Sequence, residues 1–152
     1  MTSIETTEDR DTVSATTVVD APAAEIFDYL RRPANHAEIS GDETVKGVTA
    51  GDERLELGSK FGMKMKIGVP YRIRSKVVEL EEDRVIAWAH MGRHRWRWTL
   101  EPLTADTTRV TETYDQSTTP FAAGLRLAGY PGRHRDNVEQ SVRNAAEHFA
   151  RH

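Results

Sequence analysis

After Ile39, and for about eighty residues, apolar and polar side chains alternate with a period of two, which is the spacing of half-buried β-strands and is incompatible with a helix. In Lys60-Phe61-Gly62-Met63-Lys64-Met65-Lys66-Ile67, Phe61, Met63, Met65 and Ile67 share one face and the lysines the other. Beyond a turn at Gly68-Val69-Pro70, Tyr71, Ile73, Ser75 and Val77 alternate with Arg72, Arg74 and Lys76. Apolar side chains meet across that hairpin only if opposed residue numbers have an even sum, as in Met65 with Tyr71 and Met63 with Ile73. Strands near 84–91, 94–102 and 108–116 follow as sequential hairpins. The same rule sets Leu100 against Val110, Trp98 against Glu112 and Trp96 against Tyr114. The Gly92 hairpin is open: a three-residue loop puts Trp88 and His90 on the tryptophan face, and a two-residue turn puts Ala87, Ala89 and Met91 there.

Other periods flank this sheet. The β-branched run Val13, Thr16, Thr17, Val18, Val19 predicts a strand over 12–20. Pro22 suits a first helical turn, Ile26, Phe27 and Leu30 recur at helical spacing, and Pro33 ends that helix by excluding the α region for Arg32. A short second helix or loop is expected over 34–39. From Pro131 onward, Val138, Val142, Ala145, Ala146 and Phe149 form one stripe of a long C-terminal helix. The apolar, glycine-containing segment 120–130 before it reads as a short lid-like helix. Residues 1–11 hold one aliphatic side chain, Ile4, and read as a disordered tail; residues 12–152 are expected to form a single domain.

Composition excludes several chemistries. Without cysteine there is no disulfide, thiolate nucleophile or thiolate metal site. A net charge of -3 gives no overall pull toward nucleic acid, which is not an expected partner. No apolar run spans a bilayer and the first residues lack a signal-peptide pattern, so the expected location is cytoplasmic. The six histidines show no metal-ligand spacing, and phosphate-loop, nucleophile-elbow and dinucleotide motifs are absent, so neither metal nor cofactor is expected.

The opening Val18-Val19-Asp20-Ala21-Pro22-Ala23-Ala24-Glu25-Ile26-Phe27-Asp28-Tyr29-Leu30, the strand Trp96-Arg97-Trp98-Thr99-Leu100-Glu101-Pro102 and the strand Thr108-Arg109-Val110-Thr111-Glu112-Thr113-Tyr114-Asp115, in this order of elements, resemble the START-like, Bet v 1-like (SRPBCC) superfamily, in particular its bacterial polyketide cyclase/dehydrase and lipid-transport branch. The resemblance implies an α+β helix-grip fold. In it a curved antiparallel sheet of about seven strands wraps round the long C-terminal helix, with two short helices after the first strand. It also implies a cavity between sheet and helix, lined here by Met63, Met65, Tyr71, Ile73, Trp96, Trp98, Glu112 and Tyr114, with Trp88, His90 and His134 as further candidates. The superfamily has no universal catalytic motif, so no residue is carried over as catalytic.

Among these, Glu112 lies between Val110 and Tyr114 on the face turned from solvent, where burial raises a carboxyl pKa unless it is paired. It is either a general acid/base or ligand anchor, or a structural carboxylate bonded to a Tyr, His or Arg, with His90 or a cation of the last helix as partner. The tryptophans suit a ring-containing ligand and the methionines an adaptable wall, and both serve equally as core. Lys60, Lys64, Lys66, Arg72, Arg74, Lys76, Arg95 and Arg97 fall on the outer face, a surface for nucleic acid, the anionic headgroups of a membrane surface or an acidic protein partner, or simply a solvated one. The expected function is binding of a small apolar lipid, polyketide or ring-containing ligand by a monomer or homodimer. A polyketide aromatase/cyclase or dehydratase using the cavity carboxylate, and an interaction module using the basic face, are the alternatives.

Overall fold

The alternation becomes one antiparallel sheet. The computed structural model describes residues 3–39, 45–50, 54–67, 69–89, 94–117 and 134–150, excluding the side chains of 34, 37, 38, 45–50, 63–67 and 69–73. Eight strands run β1 (Glu5–Glu8), β2 (Thr12–Val19), β3 (Val45–Ala50), β4 (Lys60–Ile67), β5 (Val69–Glu81), β6 (Val85–Ala89), β7 (Arg95–Pro102) and β8 (Thr108–Asp115), in the spatial order β1-β2-β8-β7-β6-β5-β4-β3. Between β2 and β3 lie α1 (Ala23–Leu30), a 3-10 turn (Pro33–Asn35) and α2 (His36–Ile39); α3 (Arg135–Ala150) follows the sheet. The architecture is the expected helix-grip α+β fold. None of the described helices is long and apolar enough to cross a membrane.

The reading of residues 1–11 as a disordered tail is corrected. Glu5–Glu8 pairs with β2, Glu5 opposite Thr16 and Glu8 opposite Val13, and makes the described sheet eight strands wide instead of about seven. Backbone pairing supplies what this polar segment lacks in apolar surface, and Ile4 packs on the core. Thr6 Oγ1 also donates to Glu139 Oε1 of α3 at 2.6 Å.

The even-sum registers hold. Met63 pairs with Ile73 and Met65 with Tyr71, leaving a single residue between paired Ile67 and Val69. Trp96 pairs with Tyr114, Trp98 with Glu112 and Leu100 with Val110. At the Gly92 hairpin, Trp88 pairs with Trp96 and Ile86 with Trp98, so Trp88 joins the tryptophan face; residues 90–93, and His90 with them, lie outside the described residues. So does the expected lid-like helix over 120–130.

A bulge between Val77 and Glu79 breaks the phase of β5. In an unbroken strand Val77 and Glu79 would share the inner face; the extra residue Val78 turns Glu79 outward and lets Leu80 face inward. Glu79 Oε2 then accepts from Arg95 Nη1 and Arg97 Nη2, both at 2.8 Å, and Arg97 also reaches Asp115 at 3.3 Å. Of the outer-face cations, Arg95 and Arg97 are therefore already paired, whereas Lys60, Arg74 and Lys76 are exposed.

Inside the sheet, α1 enters through extended Pro22 and buries Ile26, Phe27 and Leu30, each worth about 2 kcal/mol. It stops where Arg32, extended before Pro33, cannot stay helical. Buried Arg31 ties the 54–59 segment down: Nη2 donates to the Leu55 carbonyl at 2.8 Å and pairs with Glu56 at 2.9 Å, while Leu55 N donates back to the Arg31 carbonyl at 2.6 Å. Helix α3 lies across β2 and β8 and touches α2, burying Val138, Ser141, Val142 and Ala145.

Candidate functional site

The inner face is built in rows set by register. One row runs Trp98, Glu112, Ala15; the next runs Trp88, Trp96, Tyr114, Val13. Alternate residues on β8 stand about 7 Å apart along the strand, so Glu112 and Tyr114 are neighbours on the same face.

Glu112 is 5% exposed, and among the described residues its Oε1 has no hydrogen-bond partner. The Ser141 hydroxyl of α3 stands within hydrogen-bonding reach of the carboxyl. Burial pushes the pKa up to about 8, opposed only by Ser141. One neutral hydroxyl cannot replace the water that an ionised carboxylate loses on burial, so Glu112 is a neutral acid at pH 7. Among the described residues the group that acts on it is the Ser141 hydroxyl, and the expected partner His90 lies outside the described residues.

Beside it four rings gather. Tyr114 lies 4.2 Å from His134, 5.1 Å from Trp96 and 5.4 Å from His94, and Trp96 lies 5.0 Å from His134, all between ring centroids. Tyr114 OH donates to Gln116 Oε1 at 3.1 Å, and Gln116 Nε2 donates to Asp11 Oδ1 at 3.4 Å, which anchors the phenol at the start of β2. Burial holds His94 below its ordinary imidazole value. Together these rings present flat apolar faces with polar edges, the kind of surface that stacks on another ring.

A second cluster stands on Trp88. His36 stacks on it at 4.5 Å and 19°, with Phe61 edge-on at 5.4 Å from His36. His36 Nε2–H donates to the Leu30 carbonyl at 2.9 Å, and burial, outweighing that bond, lowers its pKa to about 4.

Of the residues expected to line the site, Trp98, Glu112 and Tyr114 are buried on one face, and Trp96, Trp88 and His134 are half-buried beside them. Met63, Met65, Tyr71 and Ile73 have the expected register, but their side chains lie outside the described set. Sequence reasoning passed over four residues that meet this group. Ser141 was legible, because it stands three residues after Val138 and seven after His134 on the buried stripe. His94, two residues before Trp96, was legible by alternation. Gln116 and His36 carried no periodic signal. Among the described residues no three His, Asp or Glu side chains gather as a metal site.

A family model described as polyketide cyclase / dehydrase and lipid transport matches residues 10–150. The chain is 38% identical over 144 residues to the uncharacterized protein Rv0088 of Mycobacterium tuberculosis, covering 91% of this chain and 64% of that protein, so it spans less than two thirds of its relative's length. Among solved structures, a Rhodobacter sphaeroides protein superposes with a TM-score of 0.72 at 12% identity over 98% of this chain and 99% of that one. The Zhui aromatase/cyclase from Streptomyces sp. R1128 does so with a TM-score of 0.61 at 20% identity over 88% of this chain and 92% of that one. The folds agree with the helix-grip architecture, and the match over residues 10–150 decides the family: this chain belongs to the polyketide cyclase/dehydrase and lipid transport family of the SRPBCC superfamily.

Proposed function

We propose that the protein binds a small, apolar, ring-containing molecule between the inner face of the sheet and α3, with Trp96, Trp98 and Tyr114 as flat walls and Glu112 as the polar point. The observation that carries this reading is the buried Glu112 Oε1 without a partner among the described residues, beside a group of aromatic rings. An orphaned polar atom inside a fold costs about 1–3 kcal/mol, a cost that a ligand group can remove. Met63, Met65, Tyr71, Ile73, Trp88, His90 and His134 extend the proposed lining. Native mass spectrometry of the purified full chain, alone and with added naphthalene- and anthracene-ring compounds, tests it. A one-to-one complex with at least one of them is expected, weakened by Trp96→Ala. A chain that stays free of adduct over the whole panel overturns the reading.

One observation favours a second reading. A carboxyl titrating at about 8 can both give and take a proton near neutral pH, as a cyclase or dehydratase requires. The similarity to an aromatase/cyclase agrees with it. In that case Glu112→Gln abolishes turnover of a polyketide while binding persists; unchanged turnover rules this role out.

A further inference from the structure

Strands β4 and β5 meet in a register that opposes Lys60 to Lys76, Gly62 to Arg74, Lys64 to Arg72 and Lys66 to Pro70. Phe61, Ser75 and Val77 in the alternate positions are buried, while Lys60, Arg74 and Lys76 are exposed, so these eight positions make up the outer face of the hairpin. Six of the eight are Lys or Arg and none is acidic. Like charges directly opposed, as in the pairs 60/76 and 64/72, weaken a sheet. The neighbouring strands bring no relief, for Gly47 of β3 stands opposite Lys64 and Ala89 of β6 opposite Lys76. By contrast, Arg95 and Arg97 share Glu79, and Arg109 pairs with Glu101. None of Lys60, Arg74 and Lys76 has an ion-pair partner among the described residues, and Glu82, beyond the bulge, pairs with Arg31. A hairpin that keeps this repulsion is suited to an anion from outside the chain.

We propose that the outer face of β4 and β5 docks the protein on an anionic lipid bilayer. The sheet closes round α3, so its outer face is convex and meets a flat surface along a strip; the cations without acidic neighbours are confined to such a strip, two strands wide. Lipid phosphates move laterally and gather under fixed cations, and each Lys or Arg near the surface adds to the attraction. Other polyanions fit less well. Single-stranded nucleic acid is held by aromatic rings as well as cations, and the eight positions carry no ring. A duplex groove about 12 Å wide cannot admit a hairpin flanked by β3 and β6, since four strands spaced at about 4.8 Å already exceed it. An acidic protein must hold its carboxylates at matching fixed positions, which fluid headgroups need not do. The docking is independent of what the interior binds.

Flotation of the full chain with vesicles of phosphatidylcholine containing about 30 mol% phosphatidylglycerol, and with phosphatidylcholine alone, tests this at about 20 mM and about 500 mM salt. Binding to the anionic vesicles is expected at low salt, lost at high salt and absent with phosphatidylcholine. The triple variant Lys60→Gln, Arg74→Gln, Lys76→Gln should bind about 100-fold more weakly. Arg10→Gln, Arg109→Gln, Arg143→Gln removes as much charge from exposed positions elsewhere and should weaken binding by less than about 3-fold. Absence of binding to the anionic vesicles, or an equal loss in the two triple variants, overturns the proposal. So does transfer of the bound protein to an equal charge of duplex DNA or polyglutamate, which assigns the face to that polymer. If circular dichroism shows a triple variant unfolded, Arg74→Gln alone, expected to weaken binding about 5-fold, decides.

Discussion

At the scale of single residues, Glu112 is held in place at a cost to stability. Its pKa of about 8 in the folded chain lies above the 4.5 of an ordinary glutamate, so the folded state keeps a proton that the unfolded state releases. Below pH 4.5 both states are protonated and the cost vanishes. As pH rises from 4.5 to about 8 the cost grows, to about 4 kcal/mol. Glu112→Gln, neutral at every pH, should therefore raise the urea midpoint at pH 8 and leave it little changed at pH 4; equal effects at both pH values would contradict the raised pKa. That this residue faces inward was legible from the alternation Val110, Glu112, Tyr114. That its partner is Ser141 was not, because a serine within an apolar helical stripe looks like a small core residue until the strand opposite is known. The His36–Trp88 stack is of the same kind: it joins residues far apart in sequence, and no local pattern encodes it.

Among the elements, β5 shows how one residue decides which face a strand presents. The bulge at Val78 places Leu80 inside with Ile86 and sends Glu79 out to Arg95 and Arg97. Deleting Val78 leaves Val77 opposite Trp88, Glu79 opposite Ala87 and Leu80 opposite Ile86 as consecutive pairs, so Glu79 keeps its outward face and its arginines. Glu79→Ala instead leaves two half-buried arginines without their shared carboxylate, at a cost of about 2 kcal/mol. Glu79→Ala should therefore lower the melting temperature by about 5 °C, and deletion of Val78 by less; a larger loss in the deletion would show that the ladder does not close over the missing residue. The registers of the β4–β5 and β7–β8 hairpins followed from period two because apolar had to meet apolar, while the Gly92 hairpin stayed open until the pairing of Trp88 with Trp96 decided it. The bulge escaped notice because the clear alternation ends at Val77, and the acidic stretch Glu79-Leu80-Glu81-Glu82-Asp83 beyond it offers a single apolar residue to fix a face. Strand β1 escaped for the opposite reason, since its stability comes from pairing with β2 and not from its own composition.

For the whole molecule, Glu112 and His36 act on stability with opposite slopes. His36, lowered to about 4 from 6.5, is neutral in the folded chain. Its burial costs nothing above pH 6.5, and the cost grows to about 3 kcal/mol as pH falls through that interval. Between pH 4.5 and 6.5 the growing cost of one group offsets the shrinking cost of the other, so the pair contributes a flat stretch, with stability falling above it as Glu112 alone acts. Buried His94 adds its own fall toward acid, so the compensation is read from differences between chains. In unfolding midpoints measured every half pH unit, the gain of Glu112→Gln over the wild-type chain should grow toward alkali and that of His36→Gln should grow toward acid; parallel profiles for all three would refute the compensation. The general architecture needed only the order of periods along the chain, while this balance needed the packed interior. The pairing of β2 with β8 bears on how the chain is made. Thr12 sits opposite Asp115, about 100 residues later. A ribosome synthesising this protein must release all the strands between before β2 acquires its inner neighbour, so Val13, Ala15 and Val19 stay uncovered on the nascent chain through most of translation. The hairpins from β4 to β8 can form in the order they emerge, but closure of the sheet waits for its most distant partners.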